Sequence, residues 1–126
     1  MRFTLTFFAL VVGLVINAQT NSYQISFENA VHHEAVIQAT FPNLTEDTVE
    51  FRMSRTSPGR YALHEFAKNV YDFKATDSKG KALKVTRPNP YAWEVSGHDG
   101  TINISYILFA NRSDGTYSQV DETHAT

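Results

Sequence analysis

Residues 64–68 read His-Glu-Phe-Ala-Lys, one residue away from the His-Glu-x-x-His pattern that can hold a catalytic zinc ion. That chemistry needs two imidazoles four residues apart on one helical face, with a glutamate between them to activate a metal-bound water. Here Lys68 stands where the second histidine should be, and a protonated amine repels a cation. Residues 33–37, His-Glu-Ala-Val-Ile, fail for a different reason: Ile37 has no ligand atom, and the segment alternates like a strand. The remaining histidines, His32, His98 and His124, are scattered, as surface and turn histidines usually are, so no metal site is expected in these 126 residues. Nucleophilic catalysis has no better footing. The chain has no cysteine, no Gly-x-Ser-x-Gly elbow and no glycine-rich phosphate loop.

The elements around these residues alternate with a period of two. Tyr23, Ile25 and Phe27 share one side; so do His33, Ala35, Ile37, Ala39 and Phe41. After Pro42-Asn43, a third run places Val49, Phe51 and Met53 opposite Glu50 and Arg52. "NVYDFKATD" forms a further strand, closed by the turn "DSKGK" before "ALKV" resumes. "RPNP" interrupts the chain, and "YAWEV" follows with Tyr91, Trp93 and Val95 in step. "SGHDG" reads as a hairpin turn into "TINISYILFA", the most apolar strand. One helical turn is expected at residues 62–68. Seven to eight short strands without an amphipathic helix predict an all-β fold, an antiparallel β-sandwich. Pro58 presets φ and Gly59 accepts positive φ, which makes a tight corner, under which Tyr61, Leu63 and Phe66 are expected to form an apolar plug.

The amino-terminal stretch has one charge, Arg2, an apolar run over residues 3–16 and a small residue at Ala18. This is a signal-peptide layout, 1–18, with cleavage expected after Ala18, and its apolar run is shorter than the roughly 20 residues a bilayer-spanning helix needs. Export to a periplasmic or extracellular compartment follows. Loss of Arg2 takes the formal net charge from −2 to −3, and no dense basic face exists to hold nucleic acid. Without cysteine, the exported domain must be held by burial alone. Asn-x-Ser/Thr sequons occur at Asn43, Asn103 and Asn111.

Taken together, the motifs resemble the glycyl aminopeptidase family, metallopeptidase family sixty-one. "SPGRYALHEFAKNV" is similar to that family's Pro-Gly-x-Tyr-x-x-x-(Asp/Glu)-Phe-Ala-(Arg/Lys)-x-Val segment, although Arg55 and Ser57 occupy an approach where the family often has Trp-Thr. "YQISFENAVHHEAVIQATFPNL" resembles its opening strands, "NPYAWEVSG" its Trp-bearing strand, and "DGTYSQVDETHA" the end of its N-terminal domain. The resemblance covers nearly all of residues 22–126. It implies a sandwich N-terminal domain over 22–112 and, over 113–126, the start of a connection to a downstream catalytic domain. There the family carries His-Glu-x-x-His and a further glutamate on zinc, often followed by a PDZ domain. His64 and Glu65 then belong to the corner motif with Pro58, Gly59, Tyr61 and Phe66, and these residues hold no cofactor.

By analogy with related aminopeptidases, such a domain covers one side of the catalytic cleft. The partners implied are the downstream domain of the same polypeptide and a peptide substrate. Residues 114–124 are then expected to face the cleft, with Asp121 or Glu122 pairing with a substrate ammonium, Tyr117 stacking or hydrogen-bonding, and His124 beside them. Two other readings compete: a stand-alone secreted sandwich that binds carbohydrate or protein through Tyr91, Trp93 and Tyr117, and a small metalloenzyme assembled from the scattered histidines.

Overall fold

The computed structural model of the chain describes residues 20–59, 61–114 and 117–126; the expected signal peptide lies outside them. Among the described residues, seven strands form two antiparallel sheets. They are β1 (Ser22–Ser26), β2 (Glu34–Phe41), β3 (Thr48–Arg52), β4 (Val70–Thr76), β5 (Lys84–Asn89), β6 (Ala92–Ser96) and β7 (Ile102–Phe109). The larger sheet has the order β1-β2-β7-β4 and the smaller one β3-β6-β5. The fold is an all-β sandwich. Among the described residues, helical structure is limited to two 3₁₀ turns, Ala30–His32 and Phe66–Asn69, and no helix is long and apolar enough to cross a membrane.

Alternation along each strand puts one set of side chains between the sheets. On β2 these are Ala35, Ile37 and Ala39, and on β7 they include Ile102 and Ile104. Across the gap, β6 contributes Trp93 and Val95, and Val95 and Ile102 are fully buried. Phe73 stacks on Trp93 at 4.9 Å between ring centroids. It reaches that position because β4 carries a bulge between Tyr71 and Lys74, with Asp72 at φ +52°.

Two turns do something other than the sequence pattern suggests. "SGHDG" is no hairpin, because β6 pairs with β3 and β5 while β7 pairs with β2 and β4. The turn instead carries the chain from one sheet to the other, since Val95 and Ile102 face each other across the core rather than lying in one layer. It is tied to the β2–β3 connection: the Leu44 N–H donates to the Gly100 carbonyl at 2.9 Å, and His98 Nε2 donates to the Glu46 carbonyl at 2.7 Å. The "DSKGK" turn begins as a hairpin, with Thr76 bridged to Ala82 and Asp77 Oδ1 accepting from the Lys79 and Lys81 amides. After Leu83, however, β5 joins the opposite sheet.

The helical turn expected at residues 62–68 is displaced to Phe66–Asn69 and is entered through Glu65 at φ +49°. The apolar plug also differs in composition. Tyr61 and Leu63 lie exposed, Phe66 is half-buried as expected, and His64 and Ala67 are the buried residues of this corner. Gly59 at φ +80° turns the chain, and the His64 amide then hydrogen-bonds to the Arg55 carbonyl at 2.8 Å, which brings His64 inward.

Core packing of this kind predicts that Ile102→Ala costs about 3 kcal/mol, combining lost burial with the cavity left behind. Urea unfolding monitored by Trp93 emission measures it.

Candidate functional site

The residues singled out in the C-terminal stretch form an ordered end of the sandwich. Asn111 bridges to Gln119, and Val120 bridges to Ala125. Val120 is buried with Ala30, Ala35, Ile37 and Ala110 in a core cluster at this end. Its amide donates to the Ala110 carbonyl at 2.8 Å, and its carbonyl accepts from His33 Nδ1 at 2.8 Å. His33 can reach it because its backbone is left-handed, φ +60°, at the end of the first 3₁₀ turn. The histidine pair thus splits in role: His33 anchors the C-terminal segment while His32 is exposed.

Tyr117 is packed into the Pro58-Gly59 corner. Its ring meets His64 edge-on at 4.4 Å and Phe66 at 5.5 Å. The Arg112 guanidinium lies 4.5 Å from its centroid and the Lys68 ammonium 5.4 Å. Two cations on this ring favour contact with electron-rich groups and disfavour a substrate ammonium. Glu65 pairs with Arg55, whose guanidinium also sits 4.3 Å from the Tyr91 ring. The side-chain hydrogen bond from Arg55 holds the Glu65 carboxyl below its ordinary range.

These contacts decide the chemistry of His64-Glu65-Phe66-Ala67-Lys68. His64 is only 3% exposed and lies among aromatic rings, and its Nε2 has no hydrogen-bond partner among the described residues. Glu65 turns the other way, toward Arg55. The donor set does not fit zinc. Among the described residues, no three His, Asp or Glu side chains converge in a way that could hold a metal ion.

Asp121 closes the last turn. Its Oδ1 accepts from the Thr123 amide at 2.7 Å, the Thr123 hydroxyl at 2.6 Å and the His124 amide at 3.0 Å. Gln119 Nε2 donates to Oδ2 at 3.3 Å, and the His124 ring stands 3.1 Å from the same carboxylate. The Thr123 hydroxyl, followed by the backbone amides, lowers the Asp121 pKa to about 2. Glu122 and His124 remain exposed on this turn. Together with Phe27, residues 121–125 border a cleft of about 230 Å³. The site therefore divides into a packed half, Tyr117 with the corner motif, and an open half, Glu122 and His124. Sequence reasoning missed His33 and Val120. Val120, an isolated apolar residue inside a polar run, was the one signal available.

The described residues form a two-layer antiparallel β-sandwich whose C-terminal segment folds back onto it. The fold is similar to that of a solved aminopeptidase N family protein from Idiomarina loihiensis, with a TM-score of 0.74 and 18% identity. That likeness covers 81% of this chain and 17% of the other. No curated protein matches. Residues 22–126 match the Peptidase M61 N-terminal domain, and the chain belongs to that family.

Two predictions follow from the hydrogen bonds. Asp121 has a depressed pKa in the folded state, so its stabilising contribution is present above its ordinary value of 3.8 and is lost as pH falls through about 2. Thr123→Val removes the largest cause and should move the carboxyl midpoint back toward 3.8 in an NMR pH titration. His64→Phe should leave stability within about 1 kcal/mol of the native protein or raise it, because it replaces an unpartnered buried nitrogen with an apolar ring. A loss well beyond that in urea unfolding would mean that Nε2 has a partner in solution.

Proposed function

We propose that this chain is the non-catalytic N-terminal domain of an exported zinc aminopeptidase-type metallopeptidase, and that it shapes one side of a catalytic cleft completed by a downstream domain. The observation that carries this reading is the family match, which runs through the whole sandwich and the folded-back segment, residues 22–126. The chain spans 17% of the structurally similar aminopeptidase N family protein, in keeping with a domain that accompanies a larger body. Zinc belongs, in this reading, to the downstream domain, where it supplies a Lewis acid and an activated water. The sandwich contributes binding surface only. The partners are that downstream domain and a peptide substrate.

Within the last turn, Glu122 and His124 are the cleft-facing candidates. Asp121 is already saturated by its own turn, and Tyr117 is held among Lys68, Arg112 and the corner aromatics. An exposed glutamate can pair with a substrate's free amino terminus, at the strength of a partly solvated ion pair.

The stand-alone carbohydrate-binding reading loses its main platform. Trp93 is buried between Phe73 on one side and the Arg87 guanidinium, 4.2 Å from its centroid.

In the full-length protein, Glu122→Gln should raise KM about fivefold for peptides with a free amino terminus, leaving kcat and zinc content unchanged. Equal KM values for native and variant protein would remove Glu122 from the cleft. For export, amino-terminal sequencing of the secreted or periplasmic protein should begin at Gln19; a start at Met1 would contradict cleavage after Ala18.

A further inference from the structure

The two sheets differ in width, and the difference leaves part of the inner face bare. On β1, Ile25 pairs with Ile37 and Tyr23 with Ala39, so these side chains share the face that β2 buries. Yet Ile37 and Ala39 are 8% and 4% exposed, whereas Ile25 and Tyr23 are 55% and 66% exposed. The cause is the strand count. Phe51 on β3 packs against Phe41 on β2 at 4.9 Å, so the three-stranded sheet has its edge above β2 and leaves β1 uncovered. Tyr23 leans edge-on against Phe41 at 5.9 Å and borders an apolar groove of about 270 Å³ between the layers.

This edge also lacks the usual protection. β1 reads Ser-Tyr-Gln-Ile-Ser, with no charge and no proline, and its outer edge pairs with no strand among the described residues. Natural sheets rarely leave such an edge open to solvent, and contiguous exposed apolar surface marks an interaction site. Phe27, just beyond β1, continues the stripe and is itself 48% exposed.

The C-terminal turn lies at one end of this face. Residues 121–125 border the same cleft as Phe27, and the Thr126 amide is paired with the Gln119 carbonyl at 2.8 Å. Any polypeptide that follows Thr126 would therefore leave the sandwich beside Phe27, at one end of the bare stripe. We propose that the downstream part of the same polypeptide seats an apolar segment on Tyr23, Ile25 and Phe27, extending the core over β1. This inference rests on the reading of the chain as the N-terminal domain of a longer protein, and adds which face receives the rest.

The test uses the full-length protein with single cysteines introduced by Ile25→Cys or Tyr23→Cys, and by Lys79→Cys on the exposed β4–β5 turn as a reference. Alkylation by iodoacetamide is followed by peptide mass spectrometry. The proposal predicts that the thiols at 25 and 23 react about tenfold or more slowly than the one at 79, at every protein concentration, and that denaturant abolishes the difference. Equal rates in a protein whose downstream region resists proteolysis would overturn the proposal while leaving the N-terminal-domain reading intact. Protection that disappears on dilution would overturn it in favour of a second copy. Absence of any protease-resistant downstream body would overturn both.

Discussion

The structure depends on β7. This strand pairs with β2 on one side and β4 on the other, and its inward residues supply both ends of the core. Ile102 and Ile104 meet Val95, Ala39 and Ala75 in one cluster. Leu108 packs with Ala35, Ile37 and Val120 in the other, and Tyr106 touches both. Partial burial pushes the Tyr106 hydroxyl pKa upward, as expected for a phenol whose ring serves the core. Because no disulfide can hold the layers, burial along β7 is what aligns them. The second cluster links the sandwich to the candidate site: Val120 is anchored through Ala110, the residue that follows β7, and through His33, the residue before β2.

Strand identity was legible in the sequence because period-two alternation follows directly from the pleat. The runs through Ala35 to Ala39, Val49 to Met53 and Ile102 to Ile104 place their apolar members as alternation requires. Layer assignment was not legible. A glycine-rich turn such as "SGHDG" has the same local chemistry whether it closes a hairpin or crosses between sheets. The choice is made by partners far along the chain, here Val95 and Ile102. Burial on β1 was misleading for a related reason: Tyr23 and Ile25 alternate like core residues, and only the width of the opposite sheet leaves them bare.

The candidate site was legible in part. The corner at Pro58-Gly59 follows from the backbone preferences of its residues, and Gly59 takes positive φ. Hydropathy, however, favours Tyr61 and Leu63 over His64 for the interior. Their order is reversed by the path of the backbone, through Gly59 and the left-handed Glu65, which no composition argument contains. Likewise, the polar stretch from Arg112 onward reads as a linker because what holds it, backbone pairing, buried Val120, the packed Tyr117 ring and the Asp121 turn, leaves no apolar periodicity. Asp121 looks like a free carboxylate in sequence and is a turn acceptor in space.

In the proposed function, this sandwich is one part of a zinc peptidase whose catalytic group is carried by a downstream domain. The most direct measurement reads the coding sequence past Thr126 and determines zinc in the protein it encodes. The account predicts an in-frame His-Glu-x-x-His followed by a further glutamate, with about one zinc ion bound per chain and lost on mutation of either histidine. A stop codon after Thr126, or a continuous reading frame with no such motif and no bound zinc, would contradict it.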